Sequence, residues 1–210
     1  MSSNQEQESN KMLKVLDFCY EKAINGIPKF DSAQEMADDY LSKNNGSVED
    51  AIKSLVRYQN AKAITSGFIT GLGGLITLPV ALPANMVSVL YVQLRMIAAI
   101  AHLKGYDLKS DQVKTFVFAA LTGNSAMEIL KSSGIFIGQK MMTNYINNKL
   151  SYEIIKKINQ KVGFRLIAKG GTKAPIILTK AVPVLGGIVG GTSDGISTHL
   201  IAKTAQKIFI

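Results

Sequence analysis

The sequence predicts an all-α protein, a compact multi-helix bundle with two glycine-rich apolar helical segments packed centrally. Aliphatic residues are abundant, tryptophan is absent and only 5 of the 210 residues are proline. Many apolar side chains recur at three- and four-residue intervals, as in helices with one buried face. Glycines are concentrated in a few apolar stretches. This composition favours helices over a β-sandwich.

Charge divides the chain into an acidic beginning and a basic body. The net charge is +9, but residues 1–50 carry ten acidic and five basic side chains, which leaves about +14 on the remainder. We expect an acidic N-terminal helical appendage over 1–46, disordered at 1–9, and a helical domain over 47–210. A positive field of this size attracts anionic lipid or nucleic acid, or simply keeps the protein in solution.

Three amphipathic helices are predicted before the first glycine-rich segment. Ser32 followed by Glu35 has the pattern of a capping box, and Ser47 is placed to open the third helix. The lone cysteine excludes an intrachain disulfide and is expected to be inert packing, consistent with a reducing compartment. The apolar face of the first helix consists of Leu13, Leu16, Cys19, Tyr20, Ala23 and Ile24.

Two apolar runs rich in glycine are candidates for close helix packing. Residues 63–94 lack a formal charge over about 32 positions, more than the roughly 20 that span a bilayer. Pro79 and Pro83 interrupt this run, so neither half clearly spans a membrane alone. Small residues at four-residue spacing let helices approach closely. The second run is 183–195, and the packing candidates are Gly67, Gly71, Gly74, Gly186, Gly187, Gly190 and Gly191.

Four polar residues inside apolar segments are predicted to be buried, namely Asn85, Gln93, Arg95 and Asp194. A buried guanidinium needs a partner, which suggests an ion pair between Arg95 and Asp194. Two alternatives stay open. Arg95 can extend to a surface, and Asp194 can cap the last helix.

The most basic segment is 149–173. Its apolar stripe is accompanied by cations at four-residue steps, an arrangement that one helix face presents together. Such a face beside long uncharged runs is typical of a protein that adsorbs to an anionic membrane and then makes apolar contact. The candidate membrane-surface residues are Lys156, Lys157, Lys161, Arg165 and Lys169.

No recognised motif for catalysis, metal or nucleotide binding occurs in the chain. His102 and His199 belong to no metal-binding pattern, and no GxSxG or GxxxxGK[ST] sequence is present. The basic segment lacks the aromatic interleaving of nucleic-acid modules. We therefore expect no catalytic residue, cofactor, metal or nucleic-acid partner. A hydrolase or transferase site assembled from Asp194, His199 and Arg95 stays open as a lesser alternative.

Three stretches resemble the EcsC family of bacterial proteins. They are residues 59–85, QNAKAITSGFITGLGGLITLPVALPAN, residues 93–101, QLRMIAAIA, and residues 182–191, VPVLGGIVGG. The resemblance covers roughly residues 50–210. It implies a helical, apolar protein whose family has no defined activity and whose founding member is encoded beside an ABC transporter.

These observations predict a non-enzymatic, membrane-associated helical protein. Residues 67–103 and 183–209 would form the apolar core, and 149–173 would face anionic lipid. The partner would be anionic membrane lipid or a membrane protein such as a transporter. The polar, acidic N-terminus is no signal peptide, so we expect the cytoplasmic side of the membrane, with peripheral or partial insertion. The alternative is a soluble helical interaction or lipid-carrying module.

Overall fold

The computed structural model describes residues 3–62, 84–136, 138–148, 150–168 and 198–210. Within these ranges the chain is α-helical and its helices pack on one another, which confirms the predicted fold class. The seven glycines predicted to pack closely lie outside the described residues, and so do both glycine-rich runs except for residues 84–94. The helices are α1 Ser3–Asn25, α2 Ala33–Lys43, α3 Val48–Lys62, α4 Ala84–Leu103, α5 Asp111–Leu121, α6 Ala126–Ser132, α7 Gln139–Asn147, α8 Tyr152–Ala168 and α9 Thr198–Ile208.

Helix α4 is the centre of the described fold. Every residue from Leu90 to Ala101 is buried, so the helix has no solvent-facing side along this length. Helices α1, α2, α3, α5 and α9 all pack against it. A helix that is apolar on all sides is expected to occupy such a core position. None of the described helices combines the length and apolarity needed to cross a bilayer.

The predicted starts of the second and third helices are confirmed by hydrogen bonds. The Ser32 hydroxyl accepts from the Glu35 backbone N–H at 3.1 Å, and the Glu35 carboxylate accepts from the Ser32 N–H at 2.8 Å. The Ser47 hydroxyl accepts from the Asp50 N–H at 3.3 Å. These caps satisfy backbone donors that the first helical turn leaves unpaired.

Helix α1 begins earlier than its composition indicates. The sequence predicted a helix from about residue 10, whereas the structure is helical from Ser3. Ser9 is buried, and its hydroxyl donates to the backbone carbonyl of Gln160 at 3.2 Å. This contact with α8, made between residues distant in sequence, stabilises a polar stretch that has little hydrophobic reason to fold by itself.

Helices α1 and α8 approach each other closely at Gly163. A Cβ atom placed on Gly163 would lie 2.6 Å from Ser9 Oγ, 3.0 Å from the Ser9 carbonyl oxygen and 3.3 Å from Leu13 Cγ. The first distance is too short for non-bonded carbon and oxygen, and the other two are tighter than most such contacts. Glycine at this position therefore sets the separation of the two helices, as small residues do at close helix crossings.

We expect Gly163→Val to lower the free energy of unfolding by about 2 kcal/mol, because the added side chain forces α1 and α8 apart. Chemical denaturation followed by circular dichroism measures the change. Lys156→Val on the exposed side of α8 is the control for the cost of a β-branched residue in a helix, which is about 0.5 kcal/mol. Equal losses in the two variants would contradict the close crossing.

Candidate functional site

A groove between α6 and α8 brings together most of the basic side chains predicted to face a membrane. Its volume is about 400 Å³. We call it the basic groove, and its polar and aromatic lining includes Glu128, Ser132, Lys157, Lys161, Phe164 and Arg165. The three cations come from α8 at four-residue steps, which places them on one face of that helix.

The five predicted membrane-surface residues do not all lie in the basic groove. Lys157, Lys161 and Arg165 line the basic groove, whereas Lys156 is exposed on α8 and is not part of the lining. Lys169 lies outside the described residues. Glu128 and Ser132 were not predicted, because they belong to α6 and no local pattern indicates that α6 faces α8.

Lys161 is held in place by the end of α6. Its ammonium group donates to the Ser132 carbonyl oxygen at 2.8 Å and to Ser132 Oγ at 2.6 Å. Loss of solvation lowers the pKa of Lys161, the charge of Lys157 lowers it further, and Glu128 opposes the change. A cation is favourable near the carbonyls that end a helix. The groove therefore contains a positive charge whose position is fixed in advance.

Positive charge exceeds negative charge in the basic groove. Three cationic side chains share it with one carboxylate, that of Glu128. Arg165 is half-buried, and its Nε atom has no hydrogen-bond partner among the described residues. Since a buried guanidinium N–H strongly prefers an acceptor, the arrangement is suited to an anionic oxygen group.

Exposed aromatic side chains accompany the groove. Phe164 on its lining is 37% exposed, Tyr152 at the start of α8 is 72% exposed, and Phe136, which follows α6, is 66% exposed. Single exposed apolar residues are ordinary on protein surfaces. Here Phe164 shares a groove with three cations, a combination found where proteins contact the membrane interface.

The predicted buried polar residues are only partly described. Gln93 and Arg95 are buried in α4, with Arg95 8% exposed on the wall of a second cavity. Asn85 lies in the first turn of α4, and its side chain is outside the described part. Asp194 also lies outside it, so the hypothetical Arg95–Asp194 pair does too.

The described residues show no group of three His, Cys, Asp or Glu side chains arranged to hold a metal. His102 Nε2 lies 3.1 Å from Asp38 Oδ1, and His199 is exposed on α9. Burial raises the pKa of the Cys19 thiol to about 12. At neutral pH the group is therefore a thiol, which is a poor nucleophile compared with a thiolate.

The pKa of Lys161 provides a test of the groove geometry. We expect Lys157→Gln to raise that pKa, because it removes a neighbouring positive charge, and Glu128→Gln to lower it, because it removes a favourable negative one. The measurement is a pH titration of the Lys161 Cε resonance by carbon-detected NMR. Lys156→Gln is the control and should leave the titration unchanged. An unchanged Lys161 pKa in both variants, or a fall with Lys157→Gln and a rise with Glu128→Gln, would show that the three groups do not share one groove.

Comparison with known proteins agrees with the resemblance found in the sequence. No curated protein and no solved structure matches this chain. The model of the EcsC protein family matches residues 3–210. The match extends beyond residues 50–210 and includes α1 and α2. The chain therefore belongs to the EcsC protein family.

Proposed function

We propose that this protein binds the surface of anionic membranes without catalysing a reaction, and that the basic groove and its neighbouring aromatic residues form the contact face. The observation that carries the proposal is the convergence of Lys157, Lys161 and Arg165 on one groove with a single carboxylate. Phosphate groups of lipids are the anions that such a face would meet first.

The electrostatic part of this interaction can be estimated. Each Lys or Arg close to an anionic membrane contributes about 1 kcal/mol, and the attraction decays within a Debye length of about 8 Å at physiological salt. The three groove cations together would change the membrane affinity by about 100-fold. Lys156, exposed on the same helix, adds to the field.

The aromatic side chains supply an apolar contribution that salt does not screen. Phe164 lies in the groove, and part of its ring is accessible to solvent. Aromatic rings are favourable at the level of lipid headgroups, where one edge meets apolar chains and the other meets water. Binding would therefore combine a salt-sensitive attraction with a smaller, salt-resistant one.

The test is co-flotation of the purified protein with neutral and anionic liposomes at low and high salt. We expect flotation with anionic liposomes at low salt, and a loss of about 100-fold in affinity for the triple variant Lys157→Gln, Lys161→Gln, Arg165→Gln. The control removes the same number of cations from exposed positions outside α1, α6 and α8, at Lys43, Lys53 and Lys104. It should bind within about threefold of the wild type, since distant charges are screened.

Three results would contradict the proposal. Equal loss in the groove variant and the control would mean that net charge alone matters. Absence of flotation with either lipid would favour the alternative, a helical interaction or lipid-carrying module that acts away from membranes. Flotation only when a membrane protein is reconstituted in the liposomes would identify a protein partner instead of lipid.

We expect Phe164→Ser to weaken the salt-resistant part of binding by about fivefold, because about 1 kcal/mol of apolar transfer is lost from a partly exposed ring. Flotation at high salt, followed by an alkaline carbonate wash, measures this component. Ile210→Ser is the matched control, since Ile210 is 39% exposed and does not line the basic groove. A similar effect of both substitutions would exclude a specific role for Phe164.

A further inference from the structure

A second cavity lies among α2, α3, α4 and the turn that precedes α2. Its volume is about 460 Å³, within the range of small-molecule sites. Its polar and aromatic lining includes Lys29, Asp31, Tyr40, Tyr58, Gln59 and Arg95. None of them belongs to the basic groove, so the two sites are separate.

Arg95 is the unusual member of this lining. Arg95 is more than nine-tenths buried, and no described carboxylate lies within ion-pair distance of its guanidinium group. Its Nε atom has no hydrogen-bond partner among the described residues. An arginine is rarely buried unless it is paired.

Two nearby carboxylates are already engaged in other contacts. Glu35 accepts from the Ser32 N–H at 2.8 Å in the capping box of α2, and Asp39 pairs with Lys43 at 2.6 Å. Of the remaining charged residues on the lining, Lys29 and Arg95 are positive and Asp31 is negative. The cavity therefore has a surplus of positive charge, and its most buried charge is a guanidinium.

A second buried donor lies one helical turn before Arg95. The Tyr91 side chain is fully buried and is not part of the cavity lining. Burial raises the pKa of its hydroxyl, and the nearby Arg95 guanidinium opposes that rise. Residues four apart share a face of a helix, which places Tyr91 and Arg95 on the same side of α4. A planar guanidinium fork binds carboxylate or phosphate oxygens in pairs.

Aromatic and apolar side chains also line the cavity, beside the Asp39–Lys43 pair. The Tyr40 and Tyr58 rings lie 6.1 Å apart at an angle of 59°, and Phe30 and Met36 line the same cavity. Such walls bind the apolar body of a ligand, while a few polar groups orient its head.

We propose that this cavity binds a small amphiphilic anion, with its carboxylate or phosphate on Arg95 and its apolar body against Tyr40 and Tyr58. The site differs from the membrane-contact face, so it does not depend on that proposal.

The test uses three probes with the same six-carbon chain, which are hexanoate, hexyl phosphate and hexanol, at constant ionic strength. Titration calorimetry measures binding, and thermal unfolding measures stabilisation. We expect one or both anions to bind and to raise the melting temperature, whereas hexanol does neither. The better anion identifies the headgroup as a carboxylate or a phosphate. Failure of both anions to bind would overturn the proposal.

Variants locate the site. Arg95→Met should weaken anion binding by at least about tenfold, since a hydrogen-bonded charge is lost, while the melting temperature without ligand stays equal or rises, because an uncompensated buried charge is removed. Lys104→Met, just after α4, is the control and should bind normally. A large fall in the melting temperature of Arg95→Met would show that the chain itself supplies a partner for Arg95, which overturns the proposal.

A second variant tests the same site at the mouth of the cavity. Lys29 is exposed at the cavity mouth, so Lys29→Gln should not affect folding. We expect it to weaken anion binding by about threefold, as removal of a partly screened charge does. Unchanged anion binding by Lys29→Gln would overturn the proposal.

Discussion

The described fold depends on the burial of α4 on all sides. Helices α1, α2, α3, α5 and α9 surround it, so its apolar residues can be covered only if all five are in place. Because the enclosure is complete between Leu90 and Ala101, polar side chains in this stretch are buried with their neighbours. The burial of Gln93 and Arg95 therefore follows from the same packing that stabilises the core. Such polar groups reduce stability unless each has a partner, which is why Arg95 indicates a ligand.

The position of the basic groove follows from the three faces of α8. Gly163 packs against α1, while Ile158, Val162 and Leu166 are buried in the core. With 3.6 residues per turn, the stripe at Lys157, Lys161 and Arg165 must then lie on a different side. That side faces α6, where the Ser132 carbonyl oxygen accepts a hydrogen bond from the Lys161 ammonium group. The close crossing at Gly163 thus orients the cations as well as stabilising α1.

Features that depend on residues close in sequence could be predicted, and features that depend on distant contacts could not. The helical class, the Ser32–Glu35 capping box and the cationic stripe of α8 are local patterns of this kind. The Lys161–Ser132 contact joins residues 29 positions apart, and Ser9–Gln160 joins residues 151 apart. No periodicity indicates either pair. Composition was also misleading at residues 3–9, where a polar sequence forms helix because α8 lies beside it.

The two proposed sites would respond differently to salt. The cations of the basic groove act near the protein surface, where mobile ions screen charge within about 8 Å at physiological ionic strength. Arg95 is 8% exposed, and a charge so buried is screened much less. The proposed membrane attachment through α8 would therefore weaken with rising salt, while the proposed anion would stay bound at α4. A single chain would then have one contact that depends on the membrane surface charge and another that depends on the concentration of a small ligand.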